Sequence, residues 1–191
     1  RILPRSAKFS GSVGIASGGV VNMTGVVDHV LSGVTFNNSG TVNYNFGAAN
    51  SFLVQAGSVF NNLAGGVFDF KTDGNISETT GCAPRNPNNP GTSRKSGGTG
   101  NSDLSGAIAY NSTGGTLDAA SGSLRVTSGQ THSRSGTLTL LGSGVQFTAG
   151  TNSFADGAVI NGTLNQSGGT FSFSNATVNN TYNLSGGAVG I

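Results

Sequence analysis

Charge is the scarcest commodity in this 191-residue chain: 8% of residues are Asp, Glu, Lys or Arg, against about 25% in ordinary globular domains. Long amphipathic helices in water need charged outer faces, and this chain has almost nothing with which to build them. The net charge of +2 is too small for an electrostatic partner, and Arg85, Arg94 and Lys95, three of the nine basic residues, lie within one stretch. A nucleic-acid surface needs a concentrated basic footprint with stacking aromatics, so none is expected. A single cysteine, Cys82, excludes an intramolecular disulfide. It sits in a turn-like Gly81-Cys82-Ala83-Pro84 context with no His or acid pair nearby and reads as an incidental thiol. With no apolar run of 18 residues, no membrane-spanning helix is expected. Tryptophan, the usual sugar-stacking residue, is absent.

Glycine, by contrast, occurs 33 times, and Ser, Thr and Asn fill most polar positions. Disorder would go with high net charge and few aromatics, but 11 Phe and 3 Tyr recur at regular places. Alternation of period two dominates, as in strands with one buried face: Val34/Phe36, Val42/Tyr44/Phe46, Phe68/Phe70, Leu124/Val126, Leu138/Leu140 and Phe171/Phe173. Gly, Asn or Ser-Gly closes each strand and supplies tight corners.

One phrase recurs. Phe36-Asn37-Asn38-Ser39-Gly40-Thr41-Val42 returns as Phe60-Asn61-Asn62 leading to Gly65-Gly66-Val67-Phe68, and as Tyr110-Asn111-Ser112 leading to Gly115-Thr116-Leu117. A weaker copy runs from Pro87-Asn88-Asn89 to Gly91-Thr92, and the steps between Asn37, Asn61, Asn88 and Asn111 are 24, 27 and 23 residues. Such a period marks a stacked repeat. The expected fold is an all-β, right-handed parallel β-solenoid of roughly eight turns of about 24 residues, a rod on the order of 35–40 Å long. Phe36, Phe60 and Tyr110 are expected to stack inside, with Pro87 interrupting them, and Asn37, Asn61, Asn88 and Asn111 to form an amide ladder at a corner. Residues 1–31 read as an N-terminal cap or irregular first turns. Residues 32–191 read as solenoid repeats, with a Pro-rich, basic bulge at 79–100.

The phrases Phe36 to Val42, Gly65 to Phe70, Gly91 to Gly98, Gly136 to Leu140 and Ser167 to Phe171 resemble repeats of large bacterial secreted and cell-surface proteins. These are the Gly/Asn/Ser/Thr-rich β-helices of filamentous-haemagglutinin-like proteins and autotransporter passengers. The resemblance spans about residues 34–189 and implies a right-handed parallel β-helix, export, and a structural or adhesive role. It also implies that Arg94 and Lys95 belong to an ordinary rung. Pro87 in the aromatic place and Ser93 in an apolar place depart from the pattern and point to a loose rung.

Parallel β-helices also carry polysaccharide lyases and hydrolases, which need clustered acids. Asp69, Asp73 and Glu78 come nearest, with Asp69 projecting outward between Phe68 and Phe70, and they read as a solvated strand face. His29 follows Asp28, but adjacent strand residues face opposite ways. His132 next to Ser133 has no acid to orient it, and two histidines cannot make a zinc site. Gly-rich calcium nonapeptides are absent, and Thr137/Thr139 is an isolated pair rather than an ice-binding array. The nine Asn-x-Ser/Thr triplets follow from composition.

No catalytic, metal or cofactor residues are assigned. The chain is expected to be a non-enzymatic extracellular rod acting as a filament subunit, stalk or adhesin segment, self-associating or contacting surface glycans or a neighbouring cell. The alternative is a glycan-binding or polysaccharide-degrading β-helix. Beginning without Met or leader and ending in a strand-like pattern, the chain reads as a mature product or a piece of a longer one. Its final Gly187, Ala188, Val189 and Ile191 echo Val13 and Ile15 near the start, making these the expected end-to-end interface.

Overall fold

A computed structural model describes residues 9–47, 50–55, 57–78 and 88–190. Cys82, Pro84, Arg85, Pro87 and Ile191 lie outside the described residues, and with them the expected break in the aromatic ladder. The described chain is all-β, without a helix, and every strand pairing is parallel. No described helix is therefore long and apolar enough to cross a membrane.

The strands stack as a three-sided solenoid, and the chain visits the three faces in the same order on each turn. The first face holds Val20–Gly25, Thr41–Phe46, Val67–Phe70, Thr92–Lys95, Gly115–Ala119, Thr137–Leu141, Val159–Asn161 and Thr177–Val178. The second runs from Phe9–Ile15 through His29–Asn38, Ser51–Gln55, Asn75–Ser77, Asn101–Leu104, Ser123–Val126, Val145–Phe147 and Leu164–Gln166 to Tyr182–Leu184. The long strand His29–Asn38 wraps a corner: its first half pairs with Ser51–Gln55 and its second half with Val59–Asn62. That second half belongs to the third face, where residues 11–15 precede it and pair with residues 34–38. Below it come the bridges Asn88–Asn111 and Ser112–Arg134, then Thr131–Arg134, Thr151–Phe154, Thr170–Phe173 and Ala188–Gly190.

The eight strands of the first face make seven steps, about seven turns and a rod of roughly 34 Å. The turn is not of constant length. Thr41 pairs with Val67 and Val67 with Thr92, steps of 26 and 25 residues, whereas Val159 pairs with Thr177, a step of 18. The later turns are shorter because their strands and corners are shorter. Regular parallel strands begin at Phe9, within the segment read as a cap, and Thr92–Lys95 is a first-face rung within the segment read as a bulge.

The core is a column of alternate residues along each face. Phe36, Tyr44, Phe46, Phe52, Phe60, Phe68 and Phe70 fill the early turns, in edge-to-face and tilted contacts such as Phe36–Phe60 at 5.6 Å and Phe60–Phe68 at 5.2 Å. Such pairs add to simple burial because the ring edge is positive and the face negative. Corner geometry restricts the residue just before the first face. A Cβ on Gly66 would lie 2.3 Å from the Asn38 carbonyl oxygen of the turn before, so only glycine lets the rungs close to stacking distance there.

Two amide ladders run down the third face. The outer one places Asn37 opposite Asn61 and Asn88 opposite Asn111, with Asn61 Nδ2 donating to Asn37 Oδ1 at 2.8 Å. These residues lie on the strand, half-buried to exposed, with the corner one residue further on. The inner ladder occupies that corner. Buried Asn38 Nδ2 donates to Asn62 Oδ1 at 2.8 Å and to the Val67 carbonyl, and Asn62 Nδ2 donates to the Thr92 carbonyl at 2.8 Å. The inner amides thus bond to one another and to the first-face carbonyls that follow the corner, tying successive turns together. Asn62→Ala should cost roughly 2–3 kcal/mol in urea unfolding, while Asn61→Ala should cost about 1 kcal/mol or less. Equal losses would show that the inner amides carry no special burden.

Candidate functional site

The described aspartates find partners within the rungs. Asp69 accepts from Lys71 Nζ at 2.7 Å, Asp73 from Lys95 Nζ at 2.6 Å, and Asp103 receives both Nε and Nη2 of Arg125 at 2.7 and 2.8 Å. Asp118 lies 3.2 Å from Arg94 Nε, Asp28 accepts from the Ser51 amide, and Asp156 accepts from Asn175. Asp69 is on the outward side of its strand yet buried, and Asp73 turns to Lys95, so each of the two has its own cation. No group of three or more His, Cys, Asp or Glu residues capable of holding a metal occurs among the described residues.

Lys95 is wholly buried. Its ammonium sits between the Asp73 carboxylate, the Gly97 carbonyl at 2.8 Å and the Thr72 carbonyl at 3.2 Å, so all three N–H groups have acceptors. In its column Phe70 lies on one side and Ala119 on the other. The side chain therefore enters where an aromatic ladder stops and a small residue leaves room.

Both histidines are internal. His29 packs on Phe46 with ring centroids 4.1 Å apart, and burial lowers its pKa; Asp28 points away to solvent. His132 Nδ1 accepts the Tyr110 amide at 2.9 Å, which leaves the proton on Nε2 to donate to the Ser128 carbonyl at 3.2 Å. Burial, with Arg134 nearby, lowers its pKa to about 4. This is a neutral imidazole fixed in one tautomer by two backbone groups, with no free nitrogen for Ser133.

A groove of about 490 Å³ opens on the third face, where Ser112 bridges to Arg134. Its floor follows the outer column from Asn88 and Asn111 to Ser133 and Ser153, and Thr113, Ser135 and Ser174 form its sides. Ser133 donates its amide to Asn111 Oδ1 at 2.7 Å, so the amide ladder passes into a serine ladder without a break. No acid or exposed aromatic lines it among the described residues. Amides and hydroxyls of this kind can exchange hydrogen bonds with a neutral polar ligand, but they offer no acid–base pair.

Of the residues singled out in the sequence, the structure places Phe36 and Phe60 in contact, with Tyr110 further along that interior column, beside His132. Val13 and Ile15 pack on the core at one end, opposite Phe36 and Asn38. Ala188 and Val189 lie exposed at the other end, beside Thr170 and Phe171. The burial of Lys95 and Arg134 and the bonding of the inner Asn38–Asn62–Asn89 column are not part of the sequence reading, although period-two alternation from Phe36, Ser93 and His132 marks Asn38, Lys95 and Arg134 as inward.

No protein-family model, curated protein or solved structure matches the chain.

His132 gives a pH test. The unfolded histidine, near 6.5, takes up a proton that the folded one refuses until about pH 4. Its contribution is therefore complete above 6.5 and is lost as pH falls towards 4, by about 3 kcal/mol at most, with His29 acting in the same direction. His132→Asn, matching Asn152 on the next rung, should flatten this acid limb in denaturant titrations at a series of pH values. An unchanged slope would contradict the assignment.

Proposed function

We propose that the chain is a non-enzymatic structural rod, exported to the cell surface, where it serves as a stalk, adhesin segment or filament subunit that lengthens end to end. The observation that carries this reading is the shared column of its two ends. Val13 pairs with Phe36 and Phe36 with Phe60, and the same inward column resumes with Tyr110, His132, Asn152 and Phe171 before closing on Val189. A second copy stacked head to tail would set its Val13 beside Val189 in the register used within the rod.

The strands Thr177–Val178, Tyr182–Leu184 and Ala188–Gly190 pair on one side only among the described residues. Between them Phe173, Ala176, Val178, Tyr182 and Val189 line an apolar hollow of about 270 Å³. Edge strands above an apolar interior are a template for a further rung. Outward faces rich in Asn, Ser and Thr, with Asp69, Asp73, Asp103 and Asp118 ion-paired, suit a mechanical role better than a chemical one.

A second reading, glycan binding, is favoured by the amide- and hydroxyl-lined groove on the third face. It would take a neutral polar ligand there without cleaving it. For the leading reading, electron microscopy of the purified chain over a concentration series should show rods that lengthen with concentration, and Val189→Asp should keep them short. Monodisperse short rods at high concentration would refute end-to-end growth.

A further inference from the structure

Among the described residues, Lys71, Arg94, Lys95 and Arg125 each have a carboxylate partner. Arg134 does not. It is also among the most enclosed of the five, with 4% of its surface exposed. Its guanidinium lies over the Phe147 ring, 5.3 Å from the centroid, and Nη2 reaches only Asn152 Oδ1 at a long 3.4 Å. Nε has no partner. Burial lowers its pKa to about 10, which leaves it charged at neutral pH. A buried charge without a counter-charge is strongly unfavourable, so something is expected to compensate it.

Arg134 borders a small cavity of about 20 Å³ as well as the open groove, and shares the cavity with Asn89, Tyr110 and Ser112. Each of these side chains also has a buried polar atom without a partner: Asn89 Nδ2, Tyr110 Oη and Ser112 Oγ. All four unpartnered atoms can donate a hydrogen bond, and the amide and guanidinium nitrogens can do nothing else. Burial pushes the Tyr110 phenol well above its ordinary value, so it keeps its proton. Leu104, Leu117, Val126 and Leu138 form the apolar part of the wall, Ser93, Asn111 and Thr116 complete it, and no carboxylate lines it among the described residues. The space suits one occupant of about the size of a water molecule, since roughly 10–15 Å³ admits one. A water can accept from two of the donors at most and leaves the charge uncompensated. A monatomic anion is not limited to two donors and would neutralise Arg134.

We propose that this cavity is a structural halide site, occupied by chloride, which supplies the missing counter-charge to Arg134 in the polar middle of the rod. The site is built by three successive turns. Asn89 and Ser112 precede first-face rungs on adjacent turns, and Ser112 bridges to Arg134 on the next. The anion would therefore tie together turns whose interior lacks the aromatic ladder of the early rungs.

The test is calorimetric unfolding of the whole chain at constant ionic strength and pH 7, with sodium gluconate progressively replaced by sodium chloride. The melting temperature should rise and saturate with chloride, bromide should substitute for it, and Arg134→Met should show no halide dependence. Crystals of the unaltered chain soaked in bromide should show an anomalous peak in the cavity, a readout that survives if the variant fails to fold. A melting temperature indifferent to the exchange of anion, an Arg134→Met response equal to that of the parent, or bromide confined to the outer surface would each overturn the proposal.

Discussion

Parallel, in-register stacking makes each interior residue's principal neighbour the residue at the same position one turn away, about 4.8 Å along the axis. Chemistry must therefore be compatible along the axis rather than across a core. Amide over amide, as in Asn38 on Asn62, and ring against ring, as in Phe36 on Phe60, meet this requirement with repeated residue types. The corner glycine meets it by removing the atom that would hold two turns apart, as at Gly66 beneath Asn38. A departure from repetition must be absorbed within one or two turns. Lys95 illustrates this: it lies between Phe70 and Ala119 and finds its carboxylate in the adjacent corner, at Asp73.

The interior accordingly changes character along the rod. Early turns are packed with aromatic rings, and late turns return to Phe147, Phe154 and Phe171. Between them lie Ser93, Lys95, Ser102, Ser112, His132 and Arg134, all buried. Stability in that stretch rests on polar groups finding partners, because an unpaired one is costly. Drawing several of its few charges inward or into pairs also leaves the outer surface dominated by neutral amides and hydroxyls. A rod with that exterior is suited to span distance and present a uniform polar face, and the third-face groove is the place where that face becomes concave.

Much of the architecture is legible in the sequence because period two and the 23-to-27-residue spacing arise from the same stacking. The Asn37, Asn61, Asn88 and Asn111 spacing marks one outward column, and the alternation of Val42, Tyr44 and Phe46 marks the inward side of a rung. The division of labour within each Asn-Asn pair is less apparent, because both residues have the same side chain and only the corner separates their roles. Charge also misleads. Lys95 and Arg134 look like surface residues by type, and only their even spacing from Ser93 and His132 places them inside. The partner of Lys95 lies 22 residues away, at Asp73, a separation that becomes contact only once the length of the turn is known. The groove has no sequence signal, since its Ser and Asn residues are the same as those of every other outer face.

Register is the claim on which the columns, the corner amides and the buried charges all stand, and disulfide trapping tests it most directly. In a background with Cys82 replaced by serine, cysteines at Asn37 and Asn61, which pair directly, fall within the Cα separation that a disulfide requires, about 4.4–6.8 Å. Cysteines at Asn37 and Val59 share the outer side but are offset by two residues, at about 7–8 Å. Rapid oxidation of the Asn37/Asn61 pair with little of the Asn37/Val59 pair is the predicted result. Equal trapping of both pairs, or preferential trapping of the offset pair, would contradict in-register stacking.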